Sequence, residues 1–161
     1  MTDPVIVGFL CSWCAYRAAD AAGAARICLA PNMRPIRVMC SGRVDPEMVL
    51  KSFHEGADGV LIVGCHPGAC HYVDGGLKAL KRVTLLRRLL PQLGLEKERV
   101  QLVWADASEG AVLATAIERM TDHLRTLGPL RWPKAVLRPE GICPMDRLPL
   151  AALPPRDGAA S

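Results

Sequence analysis

Four short runs of apolar, largely β-branched residues alternate along this chain with segments whose apolar residues recur at helical spacing. The runs cover residues 5–10, 36–39, 59–63 and 100–104. A nearly continuous apolar run of this length is typical of a strand that is covered on both faces of a parallel sheet. The alternation therefore predicts an α/β domain with a small four-stranded parallel sheet, doubly wound so that helices cover both faces. We predict the strand order 2-1-3-4, in a flavodoxin-like or Rossmann-like arrangement.

The segments between the runs carry the start and stop signals of helices. They predict helices at residues 15–29, 45–55, 73–93 and 108–128. Asp45 is the predicted N-cap of the second helix, with Pro46 at its first helical position. Pro31 and Pro35 are expected to close the segment of the first helix. The third helix is expected to bury an apolar stripe that consists of Leu77, Leu80, Val83, Leu86 and Leu90.

Proline content divides the chain into two parts. Seven of the 13 prolines fall in residues 129–161, including the adjacent pair Pro154 and Pro155. We therefore predict one domain, residues 1–128, followed by an extended C-terminal tail, residues 129–161. This tail is expected to lie on the domain or on a partner.

Composition and charge exclude several classes of protein. Half of the residues are hydrophobic, which is enough for a core, so the cysteines are not needed as cross-links. The net charge of +4 suits docking to an acidic protein face but falls short of the basic stripe that binds nucleic acid. We expect no signal peptide, and no stretch approaches the roughly 20 apolar residues of a membrane span. These features predict a cytoplasmic protein, in a compartment where thiols stay reduced.

Five of the seven cysteines follow the predicted strands at the point where each strand ends. In chain order they are Cys11 and Cys14 after the first strand, Cys40 after the second, and Cys65 and Cys70 after the third. The carboxyl ends of parallel strands form the edge of an open α/β sheet at which ligand sites occur. The topology therefore predicts that these five thiols converge on one site.

Such a site has three candidate chemistries. An iron–sulfur cluster takes four cysteine ligands, a structural zinc ion also takes four, and a redox dithiol takes two. Cys11 and Cys14 form a C-x-x-C motif, which is also the pattern of a thioredoxin-like dithiol. The candidates are therefore an electron-transfer subunit, a stand-alone thiol–disulfide oxidoreductase based on Cys11 and Cys14, and a zinc-stabilised interaction module. We favour the cluster because a dithiol leaves Cys40, Cys65 and Cys70 without a role; one thiol of the five is then spare.

Three residues beside the cysteines are candidate cofactor-binding residues. Arg43 lies near Cys40 and supplies positive charge, which is one of the factors that set the potential of a cluster. His66 and His71 directly follow Cys65 and Cys70. Each is a candidate ligand, proton carrier or hydrogen-bond donor to the ligands.

The remaining features receive structural interpretations. Trp13 and Tyr16 are expected to pack beside the site and exclude solvent, and Cys28 to fill the core from inside the first helix. Cys143, in the tail, is expected to pack rather than bind metal. A basic run beside the third helix's apolar stripe is a candidate docking face, formed by Lys78, Lys81, Arg82, Arg87 and Arg88. The sequence has no Walker A motif and no G-x-G-x-x-G after the first strand, so a nucleotide site is not supported.

Three segments resemble the delta subunit of methyl-viologen-reducing hydrogenase. They are residues 9–16 (FLCSWCAY), residues 37–46 (RVMCSGRVDP) and residues 55–72, which contain Cys65 and Cys70. The resemblance extends over about residues 4–127, in order and without large gaps. The chain departs from the family pattern at Ala69, where an acidic residue is expected, and in the additional tail.

The resemblance implies a non-catalytic electron-transfer subunit that carries one [2Fe–2S] cluster. Subunits of this family pass electrons between a catalytic module, a hydrogenase or a formate dehydrogenase, and the flavin-containing A-like subunit of a heterodisulfide reductase. Such complexes of anaerobic metabolism can perform flavin-based electron bifurcation. We favour Cys40, Cys65 and Cys70 as ligands, together with one of Cys11 and Cys14.

Overall fold

A computed structural model describes residues 3–131, so most of the predicted tail, with Cys143, lies outside the described residues. The elements in chain order are β1 (Ile6–Cys11), α1 (Ala15–Ala24), β2 (Met33–Val38), α2 (Pro46–His54), β3 (Gly59–Gly64), α3 (Gly75–Leu89), β4 (Val100–Trp104) and α4 (Gly110–Leu127). Short 3-10 turns lie at Ser41–Arg43, Leu90–Leu93 and Lys97–Arg99. The strands form one parallel sheet in the order β2-β1-β3-β4, which confirms the predicted class and strand order.

The register of the sheet aligns the carboxyl ends of β1, β2 and β3. Cys11, the last residue of β1, pairs with Val38 at the end of β2, and Leu10 pairs with Val63 of β3. The chain therefore leaves all three strands at the same edge of the sheet. Every residue of β3 is buried, as expected of a strand that is covered on both faces.

Helices cover both faces of the sheet, and each face has its own core. On one face, α1 and α4 contribute Ala15, Ala18, Leu113, Ile117, Met120 and Leu124. On the other, α2 and α3 contribute Val49, Phe53, Val83 and Leu86. Cys11, Cys14 and Cys65 belong to the first core, so the cysteine site continues into the packed interior. Within residues 3–131, no helix has both the length and the hydrophobicity that a membrane crossing requires.

Helix α1 ends at Ala24, five residues before the predicted end. The N–H of Ile27 donates to the Ala22 carbonyl, and the N–H of Arg26, which has φ of 53°, donates to the Gly23 carbonyl. This pair of bonds is a Schellman motif, in which glycine usually occupies the left-handed position that Arg26 holds here. Cys28 lies beyond the helix and is exposed, so its prediction as core filler was wrong.

Strand β2 begins three residues earlier than predicted and includes Pro35, which the sequence pattern places at the close of the preceding segment. Proline lacks a backbone N–H, but an edge strand needs only one of its two hydrogen-bonding sides. β2 is an edge strand, and its four central residues, 34–37, are exposed.

The buried face of α3 differs from the predicted stripe. Val83, Leu86 and Leu90 are buried as expected, but Leu77 is 50% exposed and Leu80 is 43% exposed. The first turns instead bury the small residues Gly75, Gly76 and Ala79. Small side chains let the start of α3 approach the sheet edge closely, and the leucines face outward as a result.

Candidate metal centre

The five predicted cysteines lie in the loops that follow β1, β2 and β3. Cys11 ends β1, and Cys14 occupies the N-cap position of α1. Cys40 precedes the turn Ser41–Arg43, and its thiol accepts a hydrogen bond from the N–H of Gly42 at 3.4 Å. Cys65 follows β3 directly, and Cys70 lies five residues further on. The sheet topology, rather than local sequence, brings them to one edge.

The thiols form two adjoining groups. In the first, the Sγ atoms of Cys11, Cys14 and Cys65 all lie within 4.8 Å of one another. The Cys11–Cys65 sulfur distance is 3.9 Å and the Cys14–Cys65 distance is 2.7 Å. In the second group, the sulfurs of Cys40 and Cys70 are 4.0 Å apart. Cys70 is half-buried, whereas the other four are at most 6% exposed.

The two groups each contain one sulfur whose environment favours the thiolate. In the first group, the hydrogen bond from the Cys14 thiol lowers the pKa of Cys11 to about 5, against the effect of burial. The pKa of Cys14 is raised because Cys11 holds its proton in that bond and because the side chain is buried. Burial also raises the pKa of Cys65. The three sulfurs of this group are therefore held in one hydrogen-bonded set.

In the second group, burial opposes ionisation of both thiols, but the backbone favours one of them. Burial raises the pKa of Cys40, which receives a partly compensating bond from the N–H of Gly42. Burial also acts to raise the pKa of Cys70, yet the N–H groups of Tyr72, Gly76 and Gly75 outweigh it and the pKa is lowered. Gly75 and Gly76 begin α3, so the positive end of that helix dipole adds to the same effect.

The approach of α3 to the second group requires glycine at position 75. A Cβ atom on Gly75 would overlap the sulfur of Cys40 and lie 3.0 Å from that of Cys70. The backbone of the helix N-terminus thus packs against both thiols.

His66 points towards α4 rather than towards the thiols. Its Nε2 lies 2.8 Å from Oε2 of Glu109, and that oxygen also accepts the N–H of Asp106 at 2.7 Å. The hydrogen bond with Glu109 raises the pKa of His66, and the Asp106 N–H and His66 together lower the pKa of Glu109. The sequence pattern does not reveal this partner of His66. The residues lie 43 positions apart, so only the topology shows the contact.

His71 joins an aromatic group that ties two of the cysteine loops together. Its ring stacks on Trp13 with 3.7 Å between centroids, and Nε1 of Trp13 donates to the Tyr72 hydroxyl at 3.2 Å. Trp13 neighbours Cys14, and His71 neighbours Cys70. The stack therefore links the loop after β1 to the loop after β3 beside the thiols.

Two arginines approach the site from β2 and the turn that follows it. Arg43 is exposed and lines a surface groove of about 720 Å³ that also contains Cys40. Arg37 donates from Nε to the Ser12 hydroxyl at 2.8 Å and lies over the Tyr16 ring. Arg37 was not predicted as a site residue. The sheet register could have indicated this position, because Arg37 pairs with Leu10, which directly precedes Cys11.

The fold and the site together define a class: a small doubly wound α/β protein whose carboxyl sheet edge carries a five-thiol candidate metal centre. The family model described as methyl-viologen-reducing hydrogenase, delta subunit, matches residues 6–128. The chain belongs to this family, as the resemblance implied.

Curated relatives agree with this assignment. The chain is 51% identical over 127 residues to the iron-sulfur subunit of the F420-non-reducing hydrogenase vhc of Methanococcus voltae, covering 79% of this chain and 88% of the relative. It is 46% identical over 130 residues to the iron-sulfur subunit of the F420-non-reducing hydrogenase of Archaeoglobus profundus, covering 81% and 95%.

A third relative is a much longer protein, the A subunit of the ferredoxin/F420H2-dependent CoB-CoM heterodisulfide reductase of Methanosarcina acetivorans. The chain is 42% identical to it over 127 residues. The match covers 79% of this chain but only 16% of that protein. In that organism, a segment like this domain is therefore part of a heterodisulfide reductase chain.

Proposed function

We propose that this chain is an electron-transfer subunit that holds one [2Fe–2S] cluster through Cys11, Cys40, Cys65 and Cys70. The observation that carries the proposal is the spacing of two sulfur pairs, 3.9 Å for Cys11–Cys65 and 4.0 Å for Cys40–Cys70. Two thiolates on one tetrahedral metal, with metal–sulfur bonds of about 2.3 Å, lie about 3.8 Å apart. The thiols therefore fit a group that takes two pairs of cysteine ligands.

Cys14 is the spare thiol in this proposal. Its sulfur lies 2.7 Å from that of Cys65, which is too close for both to bind one metal in the present arrangement. It also donates to Cys11, so it stabilises the thiolate form of a proposed ligand. This geometry favours Cys11 over Cys14, the two alternatives that the sequence left open.

The residues around the ligands have two roles. When bound, the cluster supplies a centre that takes up and releases one electron. The N–H groups of Gly42, Tyr72 and Gly76 donate to the sulfurs of Cys40 and Cys70, which favours the more negative, reduced state. Burial of the other thiols and the Trp13–His71 stack keep water away from the site.

The proposed partners are a catalytic module and a flavin-containing, heterodisulfide reductase A-like subunit. The catalytic module would be a hydrogenase, a formate dehydrogenase or another oxidoreductase. Support comes from the names of the relatives, which are iron-sulfur subunits of hydrogenases and a chain of a heterodisulfide reductase. We propose that the chain relays electrons between these partners, in a complex of the kind that performs flavin-based electron bifurcation.

A serine series tests the ligand set. Anaerobically purified protein is expected to contain about two irons and two acid-labile sulfides per chain, with thiolate-to-iron absorption. Cys11→Ser, Cys40→Ser, Cys65→Ser and Cys70→Ser should each lose most of the iron or change its absorption and electron paramagnetic resonance spectra. Cys14→Ser should retain the iron content and the wild-type resonance. Iron-free wild-type protein that binds one zinc, or no metal, would refute the proposal.

The lowered pKa of Cys11 is also the property of a reactive C-x-x-C dithiol. A nucleophilic thiol must reach its substrate, however, and Cys11 is only 1% exposed. A dithiol oxidoreductase predicts activity in metal-free protein that Cys11→Ser or Cys14→Ser alone abolishes. In contrast, the cluster proposal predicts different outcomes for these two variants.

A further inference from the structure

Residues 11–14 connect β1 to α1, and we call them the CxxC loop. The N–H groups of Trp13 and Cys14 both donate to the sulfur of Cys11, which is a ligand in the proposed cluster. Hydrogen bonds to a ligand sulfur are among the factors that set the reduction potential of a cluster, because they stabilise its more negative, reduced state. The position of the CxxC loop therefore determines whether two donors reach this sulfur.

Strand β2 holds the CxxC loop through Ser12. The N–H of Ser12 donates to the carbonyl of Val38 at 2.8 Å, and its hydroxyl accepts a hydrogen bond from Nε of Arg37, also at 2.8 Å. Ser12 is only 8% exposed, so its hydroxyl is largely removed from water and loses a partner if the Arg37 donor is removed. One side chain of the edge strand thus fixes the residue that directly follows Cys11.

The guanidinium of Arg37 also contacts helix α1. Its central carbon lies over the ring of Tyr16, 5.1 Å from the ring centroid. Tyr16 is in the first turn of α1 and packs against the first core. Arg37 therefore contacts the chain on both sides of Cys14, at Ser12 before it and at Tyr16 after it. A planar guanidinium can donate a directed hydrogen bond and stack on a ring at once, which the ammonium group of lysine cannot reproduce.

The second arginine of β2 lacks these contacts and provides a comparison. Arg37 is exposed, and no carboxylate within residues 3–131 forms an ion pair with it. Arg34 is exposed on the same strand but lines a groove with Asp3 at the opposite end. Three residues of strand separate the two arginines by about 10 Å. Arg34 thus supplies the same charge without holding the CxxC loop.

We propose that Arg37 is the positioning residue of the CxxC loop. It holds the loop in the arrangement that directs two N–H groups at the sulfur of Cys11, and it thereby raises the reduction potential of the proposed cluster. This inference rests on the proposed function. It gives a residue outside the ligand set a part in tuning the site.

Matched glutamine variants test this role in the full chain, purified without oxygen. Arg37→Gln and Arg34→Gln each remove one positive charge from an exposed position of β2, but only the first removes the contacts with Ser12 and Tyr16. The midpoint potential is measured by a redox titration followed by electron paramagnetic resonance. Arg37→Gln is expected to shift the reduction equilibrium at least threefold towards the oxidised state (about 28 mV, from ~59 mV per tenfold change), and Arg34→Gln less than twofold. Equal shifts in the two variants would overturn the proposal.

A second pair of variants separates position from charge. Ser12→Ala keeps the guanidinium but removes its hydrogen-bond acceptor, so it is expected to reproduce at least half of the potential shift of Arg37→Gln. Arg37→Lys keeps the charge but lacks the planar donor, so it should restore less than half of that shift. Combining Ser12→Ala with Arg37→Gln should add nothing to the shift of Arg37→Gln alone, because both changes remove one contact. A wild-type potential in Ser12→Ala, or full rescue by lysine, would contradict a positioning role.

Amide hydrogen exchange reports the position of the CxxC loop independently of the cluster. In the protein as purified, the amides of residues 12–16 should exchange at least threefold faster in Arg37→Gln and Ser12→Ala than in wild type or Arg34→Gln. If wild-type protein lacks the cluster but the amides respond in this way, the proposed function fails while the positioning role stands. If the cluster is present and Arg37→Gln matches Arg34→Gln in both exchange and potential, the positioning role fails while the proposed function stands.

Discussion

At the scale of single residues, Gly75 determines how closely helix α3 packs against Cys40 and Cys70. At position 75 the absence of a side chain lets the helix backbone rest against the sulfurs of Cys40 and Cys70. The same absence lets backbone N–H groups reach Cys70, which lowers its pKa despite burial. Gly75 thus connects the packing of α3 with the electrostatics of the site.

Gly75→Ala should disrupt the site more than the fold. Because the added methyl group overlaps the Cys40 sulfur, we expect iron content to fall by at least half and the free energy of unfolding to fall by about 1–3 kcal/mol. Gly23→Ala is the control, since a Cβ there meets no atom within 4 Å. That variant should gain about 0.5–1 kcal/mol from helix propensity with unchanged iron content. Iron analysis and thermal unfolding measure both, and full iron content in Gly75→Ala would refute the argument.

The turn before β4 is fixed by a buried cation. Arg99 is 1% exposed and donates to the Asp58 carbonyl before β3, to the Gly128 carbonyl after α4, and to the carboxylate of Glu96. It therefore links the end of α4 to the amino-terminal edge of the sheet, opposite the cysteine site. No sequence motif marks it, because its partners lie up to 41 residues away.

Arg99→Met should destabilise the fold by about 3 kcal/mol, because it leaves the Asp58 and Gly128 carbonyls without this donor. Arg87→Met, at an exposed position of α3, should change stability by less than about 0.5 kcal/mol. Urea unfolding at neutral pH measures both, and similar midpoints for the two variants would contradict the assigned role.

The contribution of Glu96 should depend on pH. Its hydrogen bond and ion pair with Arg99 lower the pKa of its carboxyl group. A group whose pKa is depressed by folding contributes stability above its unfolded value, about 4.3, and loses it as the pH falls through the folded value. The Tm difference between wild type and Glu96→Gln should therefore be largest near pH 6 and shrink below about pH 4. A difference that stays constant with pH would show that the charge of Glu96 has no role.

At the scale of elements, the sequence was sufficient wherever a residue's position depends on topology alone. Cys11, Cys40 and Cys65 lie at one edge of the sheet because parallel strands end there. The alternating pattern was enough to predict this placement. The pattern did not predict the buried face of a helix or the end of a helix where packing determines them. Ala79 replaces Leu77 and Leu80 in the buried face of α3, and Arg26 ends α1 in a conformation usually given to glycine. The His66–Glu109 contact likewise required the fold.

At the scale of the whole molecule, the residues that directly follow α4 contact the body of the domain. The N–H of Leu130 donates to Asp58 at 2.9 Å, and its side chain packs against the second core. Gly128 accepts a bond from Arg99. We therefore predict that the folded unit includes at least residue 130, beyond the boundary at residue 128 that proline content indicates.

Two truncations test this boundary. A chain that ends at Arg131 keeps the bonds that Gly128 and Leu130 make with the domain. One that ends at Leu127 loses the bonds to Arg99 and Asp58 and should unfold about 5 °C lower. Calorimetry distinguishes them. Equal Tm values for the two truncations would show that residues 128–131 add nothing to the stability of the domain.

Pro35, in the exposed edge strand β2, affects the tendency of this protein to aggregate at high concentration. An open sheet edge is a template on which further strands, and eventually fibrils, can grow. Pro35 removes a hydrogen-bond donor from that edge, and Arg34 and Arg37 on either side of it are exposed and positively charged. We expect the edge to resist polymerisation, so that the protein can accumulate without forming aggregates through this strand.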